Sequence, residues 1–226
     1  MYKLSPRLER IAGLVPESAA VADIGADHGY LSIFIEKNKL PKKIIACDIN
    51  AKPLLSAQNN IKKTGCTKIE TRLSDGLENI EKDEVDTVII AGMGGEVISG
   101  IIDRAPWLKS SKYTLLLQPM TAAAELRRFL NNNGYEIADE AAVKDAGKIY
   151  SIITARYNGE KAEKSEAFYY TGKLNPKKAT DAIYIKKQLK IATECRDSLK
   201  NVSGKEEKYN YYKTLVEQLE KILGEK

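Results

Sequence analysis

The chain has 226 residues, 30% of them charged and 43% apolar, which suits one α/β domain of ordinary size plus an appendage. It contains no apolar run long enough to span a bilayer and no signal-peptide core at the N-terminus, so a cytoplasmic protein is expected and a membrane protein excluded. Cys47, Cys66 and Cys195 are scattered without metal-ligand spacing or a disulfide framework, so no metal is expected, and the net charge of +5 falls wholly on residues 156–226, with 16 Lys/Arg against 11 Asp/Glu.

A helix is expected at Pro6 to Leu14. Strands are predicted near 20–24, 43–47, 68–73, 85–91 and 113–118, and helices near 30–37, 51–63, 94–104 and 121–132. Alternation of this kind predicts a parallel sheet covered on both faces. Asn132-Asn133-Gly134 stops the last helix, its glycine suiting the left-handed position past a helix end. Two apolar runs, Tyr135 to Ala142 and Ile149 to Tyr157, follow with no helix between them and should pair as an antiparallel hairpin.

Residues 158–174 begin with a polar run and read as a linker. Asn175-Pro176 then offers a cap and a first-turn proline for a long helix. Ala182, Ile185, Leu189, Ala192 and Leu199 recur at helical spacing. Val202-Ser203-Gly204 makes a turn, and Tyr212, Leu215, Leu219 and Ile222 share one face of a second helix. The expected organisation is a domain over 1–157, a linker over 158–174, and a basic helical hairpin of coiled-coil type over 175–226. A chain ending near Tyr157 should then fold by itself.

The richest segment is Asp23-Ile24-Gly25-Ala26-Asp27-His28-Gly29-Tyr30, followed at the end of the next apolar run by Asp48-Ile49. A strand feeding a glycine turn that opens a helix, with a carboxylate after the second strand, is the βαβ arrangement for a nucleotide cofactor, Asp48 accepting from ribose hydroxyls. The loop lacks the dinucleotide fingerprint. Its carboxylates, Asp23 and Asp27, would repel a pyrophosphate, so the ligand should present cations and hydrogen-bond donors, as S-adenosyl-L-methionine does. The loop resembles motif I of the class I methyltransferases. Further cofactor contacts are expected from His28, Gly29, Ile49, Asp75 and Gly76 after the third strand, and Gly92, Met93 and Gly94 after the fourth. Asp75 is placed for the adenine amino group or for a helix cap.

The Asn/Asp-Pro-Pro-aromatic sequence of amine-methylating relatives is absent after the fourth strand, where Gly92-Met93-Gly94-Gly95 stands. That turn, with the octapeptide at 23–30, Leu-Leu-Leu-Gln-Pro at 115–119, Asn-Gly-Tyr at 133–135, Glu140, Asp145 and Tyr150, resembles the bacterial TrmK family, tRNA (adenine-N1) methyltransferases acting on adenine 22. The resemblance covers the first 155 residues, and the tail matches only loosely. It implies a class I methyltransferase (Rossmann-like) sheet of parallel strands ending in an antiparallel hairpin, with tRNA as substrate and no stable protein partner. The same fold acting on another substrate, or surviving as an inactive RNA-binding protein, is the alternative.

Adenine N1 carries its own lone pair, so methyl transfer asks for orientation and exclusion of water. Asp27 is the first catalytic candidate, either stabilising the cationic product ring or holding the cofactor ammonium. Gln118, with Pro119, is the second, contacting the target base or capping the fifth strand. His28 is a loop-fixing group or a cofactor contact. Arg7 reaches the cofactor carboxylate, an RNA phosphate or only solvent, and Arg10 lies one turn further on the same basic face. Trp107 stacks on a base or covers a helix end, and Tyr169, Tyr170, Tyr209 and Tyr211 lie among lysines where RNA stacking is possible.

Overall fold

A computed structural model describes residues 3–224. In chain order the elements are α1 (Pro6–Leu14), β1 (Ala20–Ile24), α2 (Tyr30–Asn38), β2 (Lys43–Asp48), α3 (Ala51–Thr64), β3 (Ile69–Leu73), β4 (Thr87–Gly94) and α4 (Gly95–Asp103). They continue with a 3-10 turn (Pro106–Leu108), β5 (Thr114–Thr121), α5 (Ala123–Asn132), β6 (Tyr135–Asp145), β7 (Lys148–Tyr157), α6 (Glu166–Thr171), α7 (Ala179–Leu199) and α8 (Glu206–Leu223). The strands form one sheet in the order β3-β2-β1-β4-β5-β7-β6. β1 to β5 run parallel, and β7 lies antiparallel to both β5 and β6.

Residue chemistry accounts for that order. Every residue of β1 is buried, as a central strand covered on both faces requires. β3 alternates charged and apolar residues with partial exposure, as an edge strand does. On one face Ile98, Ile101 and Ile102 of α4 and Leu126 and Leu130 of α5 pack on β4 and β5. On the other, Ile11 and Ala12 of α1 and Leu31 and Ile35 of α2 cover Val21, Ile44, Ile89 and Leu116. α3 ends on Gly65 in the left-handed conformation, its N–H reaching back to Ile61 and Lys62 carbonyls.

The terminal hairpin is longer than expected. Val143 to Asp145 pair with Lys148 to Tyr150, and the two-residue turn Ala146-Gly147 has positive φ at both positions, 47° and 74°. Such a turn matches the twist of the flanking strands. The polar Lys144-Asp145-Ala146 stretch looked like loop because an edge hairpin tip needs no buried side chains. β4 and β5 also extend past their expected ends, to Gly94 and Thr121, because glycines and a proline accommodate a bulged register there.

The expected plain linker over 158–174 is corrected by α6. Ser165 caps that helix by accepting from the Phe168 N–H, and Ala167, Tyr169 and Thr171 are buried. Arg127 of α5 and Glu140 of β6, both fully buried, make an ion pair at 2.5 Å. Arg127 also donates to the carbonyls of Tyr169 and Tyr170 and to Ser151 Oγ, while the Lys173 N–H donates to Glu140. Gly172 permits the contact, because a Cβ there would strike the Glu140 carboxylate.

α7 begins at Ala179, three residues past the expected proline start. Asn175 instead makes a side-chain turn, accepting from the Lys177 N–H, and the buried Asp181 accepts from the N–H groups of Ala142 and Asn175. The expected stripe is also redirected. Tyr184 and Ile185 pack with Ala142 and Ile149 of the hairpin and Leu174, while Ala192 meets Leu215, Val216 and Leu219 of α8. α7 therefore packs on the β6–β7 hairpin as well as on α8.

Independent folding of residues 1–157 is accordingly not expected. Cutting after Tyr157 strips Leu174, Tyr184 and Ile185 from Ala142 and Ile149 and leaves Arg127 short of two carbonyl acceptors. The shortened chain should be insoluble or melt well below the full chain in a thermal scan. An unchanged melt would show that the tail is energetically separate.

Candidate active site

The site gathers at the C-terminal ends of β1, β2 and β4, the edge where open α/β sheets bind ligands. β1 ends in Asp23-Ile24, and the chain then turns through Gly25 (φ 74°), Asp27 (φ 51°) and Gly29 (φ 73°) before α2 begins at Tyr30. A Cβ on Gly25 would overlap the terminal methyl of Met93, and one on Gly29 would come within 3.1 Å of Ala57 Cβ. Glycine takes the left-handed conformation at Gly25 and Gly29 without strain, and Asp27 adopts it between them.

The loop is fastened to β2. Gly25 N–H and Ala26 N–H both donate to the Cys47 carbonyl, at 2.9 and 2.8 Å. The Asp48 carboxylate accepts from the Asp27 N–H at 3.2 Å and from the Asn50 N–H at 2.8 Å. Asp48 thus faces the glycine turn at the mouth of the cleft. Ile49, beside it, and Leu73, its register neighbour on β3, expose apolar side chains.

Asp23 is 3% exposed and accepts a 2.6 Å hydrogen bond from Ser32 Oγ. Burial pushes its carboxyl up to about 6, the bond from Ser32 only partly opposing this. A carboxyl raised above its unfolded value favours the folded state when protonated. That contribution is complete below about pH 4 and is lost as pH rises through about 6. Asp23→Asn should therefore raise stability at pH 8 by on the order of 1 to 3 kcal/mol, with little gain at pH 4, in urea melts at the two pH values. An equal effect at both would remove ionisation of Asp23 as the cause.

Asp27 is the opposite case, its side chain 68% exposed and 3.6 Å from His28 Nε2. His28 stacks on Tyr30 with ring centres 5.6 Å apart, and its carbonyl accepts from Asn60 Nδ2. Asp23, Gly25, Asp27, His28, Tyr30, Gly92 and Arg7 line a cleft of about 220 Å³. Asp75 is half exposed and takes a 3.1 Å bond from Arg104, and no helix begins after it, so it caps none. Gly76 is left-handed at φ 56° with Ile101 where a Cβ would fall.

Gln118 corrects an expectation. It is fully buried, so it is not open to a target base. Its Oε1 accepts from Arg7 Nη1 at 2.9 Å and from the Gly92 N–H at 3.2 Å, and its amide donates to the Pro119 carbonyl. Arg7 also meets Asp145 at 3.0 Å. The hairpin tip, α1 and the left-handed Gly92 (φ 79°) are thereby tied into one chain of contacts. Arg7 is committed to these protein partners. Its 111-residue separation from Gln118 explains why no local pattern revealed the pair. Gly95 is needed too, since a Cβ would strike the Ala122 carbonyl.

Arg7→Ala should free Gly92 and weaken cofactor binding several-fold. Arg7→Lys should fail to restore it, because one ammonium cannot reproduce the guanidinium fork. Calorimetric titration of both variants checks this, and unchanged affinity in Arg7→Ala would make the contact dispensable.

Elsewhere the aromatic candidates are structural. Tyr211 bonds Glu166, and Tyr170 pairs with Tyr211 through their hydroxyls at 3.2 Å. Tyr169 lies under the Arg128 guanidinium, Tyr209 is half-buried, and Trp107 packs edge-on against Tyr113. Arg10 is exposed on α1.

An open sheet in this strand order, with an acidic glycine turn after β1 and a carboxylate ending β2, has the fold of a class I methyltransferase. The family described as a methyltransferase domain matches residues 4–153. The tRNA (adenine(22)-N(1))-methyltransferase of Bacillus subtilis is 32% identical over 225 residues, covering 96% of this chain and 94% of that protein. The crystal structure of the B. subtilis M1A22 tRNA methyltransferase TrmK superposes with a TM-score of 0.87 at 29% identity, covering 99% of this chain and all of that one. M. capricolum TrmK in complex with S-adenosyl-homocysteine gives 0.82 at 28% identity, with 99% of each chain covered. The chain belongs to the TrmK family of methyltransferases.

Proposed function

We propose that the protein transfers a methyl group from S-adenosyl-L-methionine to N1 of adenine 22 in tRNA, in the cytoplasm. The observation that carries this reading is the acidic glycine turn bonded to Asp48 beside an open Gly92-Met93-Gly94 turn, within a chain that matches an adenine-N1 methyltransferase over almost its full length. The residues present fit the cofactor. Asp23 and Asp27 line the cleft with Gly25, and this acidic lining suits a ligand with an ammonium, a sulfonium and ribose hydroxyls.

In this reading Asp48 accepts from the ribose hydroxyls. Ile49 and Leu73 flank the adenine, whose amino group Asp75 meets beside Gly76. Asp23 and Asp27 face the ammonium end with His28 and Gly29, and Gly92, Met93 and Gly94 form the wall nearest the target base. The bound cofactor supplies an electrophilic methyl group on its sulfonium. The protein orients adenine N1 in line with it and excludes water; no base is needed, because N1 carries no proton when neutral. Asp27, exposed in the cleft, places negative charge where the product ring becomes cationic. Gln118 is a positioning residue for Gly92. The methyltransferase unit over 1–157 presents this site, and the basic tail over 175–226 adds tRNA affinity.

Asp27→Asn separates its two possible roles. Slower single-turnover methyl transfer with cofactor affinity within about twofold is expected if it stabilises charge. A loss confined to cofactor affinity would make it a binding residue only. The general reading is tested by cofactor titration followed by methyl transfer to bulk unmodified tRNA, and cofactor binding without transfer would contradict it.

A further inference from the structure

Two clefts near the end of β5 adjoin at Ile149 and Lys187, which line both, and give a groove in two parts. It starts at Pro119, Met120 and Thr121, of which Pro119 and Thr121 pair with Met93 and Gly94 at the end of β4. From this cleft of about 310 Å³ it runs past Tyr150 to the hairpin tip, where Lys144 and Lys148 line its outer end. Lys187 of α7 stands at the junction.

Lys144, Lys148 and Lys187 are exposed and make no ion pair among the described residues. Asp145 between the first two is neutralised by Arg7, so it does not cancel them. Glu125 is the acidic lining residue at the inner end. The floor carries exposed Met120, Ile183 and Ile191 and half-buried Tyr150. Unpaired cations beside an apolar and aromatic floor suit a single-stranded polyanion whose bases turn inward.

We propose that this groove holds the RNA strand next to the target adenine, with Lys144, Lys148 and Lys187 against its phosphates and Tyr150 under an unpaired base. It rests on the tRNA methylation reading and names the surface through which that reading operates. A target base must leave its helix to reach the cofactor, and the strand on one side of it then needs a track leading away from the site. The groove opens at the end of β5, beside Met93 and Gly94 of β4, and supplies that track. The tail contributes through the inner face of α7, and Tyr170 and Tyr184 also line the groove.

The test compares wild type with the K144Q/K148Q/K187Q protein, using unmodified transcribed tRNA, and with a K37Q/K62Q/K63Q control that removes the same charge from α2 and α3. The groove variant should bind tRNA at least tenfold more weakly, and its slope of log affinity against log salt should fall by about 2 to 3. Cofactor affinity and thermal midpoint should stay at wild-type values, and the control should lose less than threefold. Tyr150→Ala should raise KM for tRNA about tenfold, with Tyr150→Phe restoring it because the stacking face remains. Equal tRNA affinity and salt slope in the groove variant, or an equal loss in the control, overturns the groove while wild type still methylates tRNA. A wild-type protein that neither binds nor methylates tRNA overturns the functional reading instead.

Discussion

Arg127→Ala is expected to lower the free energy of unfolding by about 3 to 5 kcal/mol, because it leaves Glu140 charged and buried without its partner. The deletion also strips the carbonyls of Tyr169 and Tyr170 and the hydroxyl of Ser151 of their donor. Domains of this size are stable by only about 5 to 15 kcal/mol, so the variant should be marginal at 37 °C. The double variant Arg127→Met, Glu140→Leu tests the cause. Removing both charges should recover part of the loss, but not all of it, since the Lys173 N–H and the two carbonyls remain unpartnered. Urea unfolding checks both proteins, and a loss below about 1 kcal/mol in Arg127→Ala would show that water reaches and solvates Glu140.

Asp48→Ala is expected to weaken S-adenosyl-L-methionine binding by about 1.5 to 3 kcal/mol, roughly 10- to 150-fold, the usual worth of hydrogen bonds to a charged group. The N–H groups of Asp27 and Asn50 lose their acceptor at the same time, so the glycine turn should also loosen. Asp48→Asn keeps one acceptor oxygen and should lose less. Calorimetry on folded protein decides it. Unchanged affinity in Asp48→Ala would remove Asp48 from the cofactor site.

The glycine-turn edge of the candidate site was legible in sequence because it is local. Asp23, Gly25, Asp27 and Gly29 lie within one strand-turn-helix unit, and Asp48 ends the next strand, so spacing alone brings them to one edge of a parallel sheet. The buried position of Gln118 was not legible in the same way. Position at the end of β5 suggested access to a base, whereas its burial under Gly92 depends on Arg7, which comes from a helix far away in sequence. The tail misled for a related reason. Tyrosines among lysines resemble an RNA surface, but Glu166 and Arg128 turn Tyr211 and Tyr169 into packing residues. A charged residue inside a polar run, such as Asp181, gave no sign that it would cap the β6 backbone and dock α7 on the sheet.

The most direct measurement is nucleoside mass spectrometry with position mapping, after unmodified tRNA is incubated with the protein and isotopically labelled S-adenosyl-L-methionine. An exocyclic amine has its lone pair delocalised into the ring and needs acceptors to become nucleophilic, and the Gly92-Met93-Gly94-Gly95 turn lacks the Asn/Asp-Pro-Pro-aromatic sequence that would hold it. The expected result is labelled 1-methyladenosine at position 22 and at no other nucleotide. Labelled N6-methyladenosine formed directly, without alkaline rearrangement of the N1 product, or label at a different nucleotide, would contradict it.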